Sequence, residues 1–290
     1  MLRWRLLLGT LIIAAVAGLG WVDHGASLAE VWLPLLIVAC LLGSREVLYL
    51  AASGALQPVP WVVYLGNVLI VTSPWLDFWA SGRSGATLSG EWVVLALGAA
   101  VILAFVGEMV RYREPGGAFA NLAAAVFAMV YVGLLLGCVV QLRLACGLGA
   151  LASLLIVVKM GDTGAYAVGR LIGRHPLAPT LSPKKTIEGA AGAFAFSCAA
   201  SWATFQWLVP ATSPETAKSG LEWGWLVFGA VVCAAGMLGD LAESLIKRDV
   251  RCKDSSEWLP GFGGVLDVLD SVLLAAPAAY ACWAAGLVGS

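Results

Sequence analysis

Asp240-Leu-Ala-Glu243-Ser244 and Asp267-Val-Leu-Asp270-Ser271 are two carboxylate clusters of the same shape, each set in an apolar stretch of helical length. Acids within a segment fit to cross a bilayer are costly, and they mark function more often than not. Spacings of three and four residues put the members of each cluster on one helical face. A basic loop carrying Lys247, Arg248, Arg251 and Lys253 joins the two stretches. With the first helix ending near Lys247, Asp240 sits about 10 Å before that end, and Asp267 and Asp270 sit about 5–9 Å into the returning helix. The clusters are therefore expected at similar depth on adjacent antiparallel helices.

The rest of the chain has the same apolar character. It holds 290 residues, of which 60% are hydrophobic and 12% charged, about half the charged share of a soluble protein. Apolar runs recur from end to end without the alternation of a β-barrel. The expected class is all-α: a polytopic helical membrane protein of about nine spans, near 4–22, 29–52, 59–73, 91–109, 118–136, 144–172, 187–208, 223–247 and 264–286. The polar stretch 170–186 reads as a loop. Met1-Leu-Arg-Trp-Arg5 and the apolar run after it read as a first membrane helix rather than a signal peptide. Residues 1–140 read as an N-terminal transmembrane scaffold and 141–290 as the C-terminal catalytic region of one integrated membrane domain. Glu46 and Glu108, near helix ends in the scaffold, are expected to pair structurally with Arg45 and Arg111.

With the N-terminus in the cytoplasm, the inside segments hold Arg3, Arg5, Arg111, Arg113, Arg170, Arg174, Lys184, Lys185, Lys247, Arg248, Arg251 and Lys253, and the outside loops hold Arg83, Arg143 and Lys218. That bias follows the positive-inside rule and places both clusters on the cytoplasmic side. The seven cysteines are odd in number and irregular in spacing, and read as buried thiols.

Two further segments carry polar residues. In Lys159-Met-Gly-Asp162-Thr-Gly-Ala-Tyr166-Ala-Val-Gly169-Arg170-Leu-Ile-Gly173-Arg174, Asp162, Tyr166, Gly169, Arg170 and Gly173 share a helical face whose glycines allow close packing. Ser182-Pro-Lys184-Lys185-Thr186 then leads into a helix N-terminus, a cradle suited to phosphate; the plainer reading is a basic loop drawn to anionic lipid. The loop Lys253-Asp254-Ser-Ser-Glu-Trp-Leu-Pro260-Gly-Phe262-Gly263-Gly264 permits close backbone approach, and the amides that open the last helix favour an anion. Oxygen-only ligands suit Mg²⁺ bridging carboxylates and substrate phosphates, and no histidine nearby suggests zinc. The structural alternative is buried acids neutralised by Lys247 and Arg251, or helix caps. A Walker motif, a G-x-G-x-x-G fingerprint and a Ser/His/Asp arrangement are all missing.

The segments Ser244-Leu-Ile-Lys247-Arg248, Lys253-Asp254 and Leu259-Pro-Gly-Phe-Gly-Gly264-Val-Leu-Asp267-Val-Leu-Asp270-Ser271 resemble the signature of the phosphatidate cytidylyltransferase (CDP-diacylglycerol synthase) family. Gly161-Asp-Thr-Gly-Ala-Tyr166 and Ser182-Pro-Lys-Lys-Thr186-Ile-Glu-Gly189 resemble it too. Phe262 stands where the family pattern has His, and Val268 where it has Arg. The resemblance implies that CTP and phosphatidic acid give CDP-diacylglycerol and pyrophosphate with Mg²⁺, and it leaves open a second, monovalent cation. Asp240 and Asp267, with Glu243 and Asp270, are then the expected metal ligands. Asp240, Asp267, Asp270, Lys247 and Arg248 are the expected catalytic set. Asp162, Ser182, Lys184, Lys185, Thr186, Ser244, Lys253, Asp254, Gly263 and Gly264 are expected to bind substrate. The expected partners are the two substrates, the lipid bilayer and a second copy of the chain in a homodimer, with no nucleic acid. Taken as bacterial, the chain is expected in the plasma (inner) membrane. The alternatives are a CTP-dependent enzyme acting on another lipid and, from a different class, an ion-coupled transporter.

Overall fold

The computed structural model describes residues 2–26, 29–80, 90–212, 221–253, 255–256 and 263–288. Among them the chain is helical apart from one small hairpin. It runs through α1 (Leu2–Ala26), α2 (Trp32–Ser53), α3 (Pro60–Ala80), α4 (Glu91–Arg111) and α5 (Ala118–Ala128), then through a π-helical segment, Met129–Leu134, into α6 (Leu135–Ile172). Strands β1 (Pro176–Ala178) and β2 (Ser182–Thr186) follow, then α7 (Ile187–Ala203), a second π-helical segment at Thr204–Leu208, α8 (Val209–Thr212), α9 (Gly224–Asp249) and α10 (Leu266–Ala284).

Among the described residues, six stretches are long and apolar enough to cross a membrane: Ala29–Ser53, Pro60–Ala80, Glu91–Arg111, Ala118–Ile172, Gly224–Asp249 and Leu266–Ala284. On α4, Leu95, Ile102, Phe105, Met109 and Val110 point outward. An apolar face of that size needs lipid as its solvent, so the protein is an integral membrane protein.

The stretch from Ala118 to Ile172 has 55 residues. A straight helix of that length would reach roughly 80 Å, against a hydrocarbon core of about 30 Å. It is broken at Gly147, whose φ of 88° lies where glycine pays no steric penalty. The sequence suggested a connection at 137–143 instead. The helix runs on through those positions, and Arg143 lies within it. Its Nε donates to Asp23 Oδ2 at 2.6 Å, and the Trp32 indole N–H donates to the same oxygen at 2.8 Å. The segment 170–186, expected as a loop, contains the antiparallel hairpin, with Pro176 opposite Thr186 and Ala178 opposite Ser182.

The chain divides into two compact units, Met1–Leu144 with Ile246–Leu269, and Ala145–Leu245 with Asp270–Ser290. In the first, α3 packs against α2, α4 and the π-helical segment. Asn67 of α3 is fully buried there. Its Nδ2 donates to Ser44 Oγ at 2.7 Å, and that hydroxyl donates on to the Cys40 carbonyl at 2.6 Å. Such bonds join helices where apolar surfaces gain little from meeting in lipid.

In the second unit, α6 and α7 meet through small residues. A Cβ on Gly192 would lie 2.5 Å from the Val168 Cβ and 2.8 Å from the Gly164 carbonyl, and a Cβ on Gly189 would lie 2.9 Å from the Ala165 carbonyl. The glycine face expected on α6 is therefore used: a Cβ on Gly169 would meet Thr186 Oγ1 at 3.1 Å. Gly192→Val should lower the thermal midpoint in detergent by an overpacking cost of roughly 1–3 kcal/mol. Gly98→Val is the control, because a Cβ at Gly98 meets nothing within 4 Å. Equal midpoints for the two variants would contradict the α6–α7 packing.

Candidate active site

In the first unit, two carboxylates hold the start of α10. Asp267 lies in the first turn of that helix. Its Oδ2 accepts from the backbone N–H of Gly264 at 2.7 Å, the backbone N–H of Ser255 at 3.0 Å and the Ser255 hydroxyl at 2.6 Å. Its Oδ1 faces the Lys247 ammonium at 2.5 Å. Three donors therefore hold one oxygen, and a cation meets the other. Both side chains of the Lys247–Asp267 pair are nearly enclosed, at 12% and 11% exposure.

The second carboxylate is Glu46 of α2, which is buried. Oε1 accepts from Ser256 Oγ at 2.8 Å and the Val265 N–H at 2.9 Å. Oε2 accepts from Ser255 Oγ at 3.0 Å and the Leu266 N–H at 2.7 Å. Helix N-terminal amides take anions readily. An anion is what the sequence leads one to expect at these amides. The groups that occupy these amides belong to the protein: Glu46 on Val265 and Leu266, and Asp267 on Gly264. Glu46 is thus used structurally, on donors more than 200 residues away in sequence. Glu108 does bond Arg111, at 2.9 Å.

Gly264 makes room for this arrangement. A Cβ there would fall 2.5 Å from the Glu46 carboxyl carbon and would also strike Ser255 Oγ and Glu46 Oε2. Gly263, beside it, takes a φ of 89°. The double glycine is therefore a packing requirement as well as a turn. Arg248 bonds the Cys252 carbonyl at 3.4 Å, and Lys253 is exposed. Asp254 and Phe262 lie outside the described residues.

In the second unit, Asp240 of α9 pairs with Lys185 of β2 at 2.6 Å. Glu243, one turn on, is buried. Asp270 is buried as well, with Oδ1 accepting from Ser271 N and Oγ. Backbone approach at this level is close: a Cβ on Gly239 would lie 3.1 Å from the Asp270 carbonyl carbon. Ser244 is half-buried on α9, Ser182 is half-buried on β2, and Lys184 is exposed. Thr186 caps α7 by accepting the Gly189 N–H at 3.1 Å. Asp162 is exposed and pairs with Lys159 at 3.2 Å. Arg170 bonds the Tyr166 hydroxyl at 2.7 Å.

Each unit thus sets one lysine against one of the expected metal-binding carboxylates. An ammonium group meets Asp267 Oδ1 and another meets Asp240 Oδ2. The carboxylate oxygens are hard donors of the kind Mg²⁺ prefers, and the donor set fits it in that sense. Among the described residues, no three acidic, histidine or cysteine side chains converge as a metal cage. Mg²⁺ commonly takes its remaining ligands from substrate phosphates and water.

Ser255, Ser256 and the role of Glu46 were not legible from local pattern. The one available signal was an acid inside an otherwise apolar span. Lys247→Met should be strongly destabilising, by roughly 3–5 kcal/mol, because it leaves an enclosed carboxylate without its cation. Thermal unfolding of the purified variant measures this, and an unchanged midpoint would mean that the pair is not enclosed in solution.

Residues 3–285 match the cytidylyltransferase family. The chain is 34% identical over 265 residues to a phosphatidate cytidylyltransferase of Mycobacterium bovis, which covers 88% of this chain and 79% of the relative. It is 34% identical over the same length to a phosphatidate cytidylyltransferase of Mycobacterium tuberculosis, with 74% of that protein covered. A phosphatidate cytidylyltransferase of Staphylococcus epidermidis is 34% identical over 192 residues, 65% of this chain and 70% of the relative.

Proposed function

The chain belongs to the cytidylyltransferase family, and on that premise we propose that it transfers a cytidylyl group from CTP to phosphatidic acid. A phosphate oxygen of the lipid attacks the α-phosphorus of CTP. The bond from that phosphorus to the bridging oxygen breaks, and pyrophosphate leaves with the electron pair. CDP-diacylglycerol is the lipid product. The observation that carries the reading is the match to phosphatidate cytidylyltransferases over 88% of the chain.

Phosphoryl chemistry of this kind asks a protein for positioning and charge neutralisation more than for covalent catalysis. The side chains suit that task. Asp240, Glu243, Asp267 and Asp270 are the proposed Mg²⁺ ligands. The metal would supply charge neutralisation on the transferring phosphoryl oxygens and the leaving pyrophosphate. Lys185 and Lys247 are the proposed phosphate-binding cations, joined by Lys184, Arg248 and Lys253. In the structure Lys185 and Lys247 are held on Asp240 and Asp267. With substrate bound, Lys185 and Lys247 would turn from these carboxylates to phosphate oxygens. Asp162, Ser182, Thr186, Ser244, Asp254, Gly263 and Gly264 complete the proposed substrate-binding set. The two glycines act there by shaping the backbone.

Nine crossings with a cytoplasmic N-terminus remain the topology we favour. Six stretches qualify by length and apolarity. The break at Gly147 divides one of them, and α1 and the continuous run from α7 through α8 supply two more. The excess of Lys and Arg on one side of that arrangement supports its orientation. A plasma-membrane location and a homodimer belong to the same proposal.

The test is pyrophosphate release by the purified protein in detergent. Release should require CTP, Mg²⁺ and phosphatidic acid together, with CDP-diacylglycerol formed in equal amount. Asp267→Asn should abolish turnover while the protein remains folded. Release with a polyprenyl phosphate and not with phosphatidic acid would move the substrate to another lipid. CDP as the released product would replace cytidylyl transfer with phosphoryl transfer.

A further inference from the structure

The carboxylate of Glu46 lies in the first unit, far in sequence from the motifs that carry the chemistry, yet it meets their loop at four points. The Ser255 hydroxyl joins it to Asp267. That oxygen is 3.0 Å from Glu46 Oε2 and 2.6 Å from Asp267 Oδ2, and one hydroxyl proton cannot serve both acceptors at once. The backbone around the hydroxyl is fixed by Glu46 as well, through Ser256 on one side and the Val265 and Leu266 amides on the other. Gly264 sits between them: its N–H donates to Asp267 at 2.7 Å, and its missing side chain is the space that the Glu46 carboxyl group fills.

Every donor that holds Asp267 Oδ2 therefore comes from a residue in contact with Glu46. Those donors leave Oδ1 as the oxygen turned to a cation, the position Lys247 holds at 2.5 Å. We infer that Glu46 is a positioning residue for cytidylyl transfer: through Ser255 and Gly264 it fixes which oxygen of Asp267 faces the metal. This inference rests on the metal-ligand reading of Asp267 given above. Carboxylate ligands are oriented by the groups that bond their second oxygen, and removing such a group typically costs 10–100-fold in metal affinity or activity. Both Glu46 oxygens are needed as acceptors: Oε1 takes the Ser256 hydroxyl and the Val265 N–H, and Oε2 takes the Leu266 N–H. An amide in its place would set an NH₂ group against a backbone N–H.

The test is direct Mn²⁺ binding without nucleotide, followed by electron paramagnetic resonance, on wild type, Glu46→Gln, Ser256→Ala and Asp267→Asn. Circular dichroism and thermal midpoints are measured alongside. For folded Glu46→Gln we expect a Mn²⁺ dissociation constant raised about 10-fold or more. Turnover of that variant should recover as Mg²⁺ is raised, with the KM for CTP unchanged at saturating metal. Ser256 bonds Glu46 and not Asp267, so Ser256→Ala should raise the constant in the same direction by a smaller factor, and it removes only one of four donors should Glu46→Gln fail to fold. Wild-type Mn²⁺ affinity and Mg²⁺ dependence in a folded Glu46→Gln would overturn the inference, whatever its melting temperature. Wild-type affinity in folded Ser256→Ala would overturn it if Glu46→Gln does not fold. Unchanged Mn²⁺ binding in Asp267→Asn is a separate result: it removes the metal assignment from Asp267, and the role of Glu46 falls with it.

Discussion

A carboxylate inside an apolar segment has to find its partners within the fold, because the lipid around it offers none. That requirement organises many of the polar contacts among the described residues. Asp23 is met by Arg143 and Trp32, Glu108 by Arg111 and Asn121, Asp267 by Lys247 and three donors, and Glu46 by two serines and two amides. Leaving such a group unpaired costs several kcal/mol. Each acid therefore dictates where its helix may lie. The glycines then follow from the acids and the helix contacts: Gly264 clears space for Glu46, and Gly189 and Gly192 let α7 approach α6.

The helical class, the membrane and the family were legible because each is written locally. Apolar run length speaks for a span, and a signature such as Ser244-x-x-Lys247-Arg248 is contiguous. The pairing of Lys247 with Asp267 could be read as a structural alternative, and the structure has it. The break at Gly147 was harder to read. A glycine in an apolar run looks the same whether it kinks a helix or packs one, and the connection expected at 137–143 falls a few residues before the break. The hairpin at 176–186 was missed because two three-to-five-residue strands containing Pro176 and Pro183 carry little β pattern. The π-helical segments have no reliable sequence signal at all.

The contact of Glu46 with Ser255, Ser256, Val265 and Leu266 was beyond local reading for a different reason. Nothing near position 46 announces donors more than 200 residues away, and nothing in the Gly263-Gly264 pair says what fills the space it leaves. Only when both are placed does the glycine become the mark of the glutamate. A rule emerges that can be applied to other membrane chains: a tight glycine at the start of an apolar helix can mean that an acid from elsewhere already occupies the amides.

That same contact bears on how the protein is made. Residue 46 is synthesised more than 200 residues before the groups that meet it, so α2 is made long before they exist. Until then Glu46 sits in its helix without the groups that match it in the finished fold. A chain that stops before residue 266 can never complete that match. The unmatched acid is then a built-in mark of incompleteness, carried by a product that stops before residue 266 and erased when the start of α10 arrives.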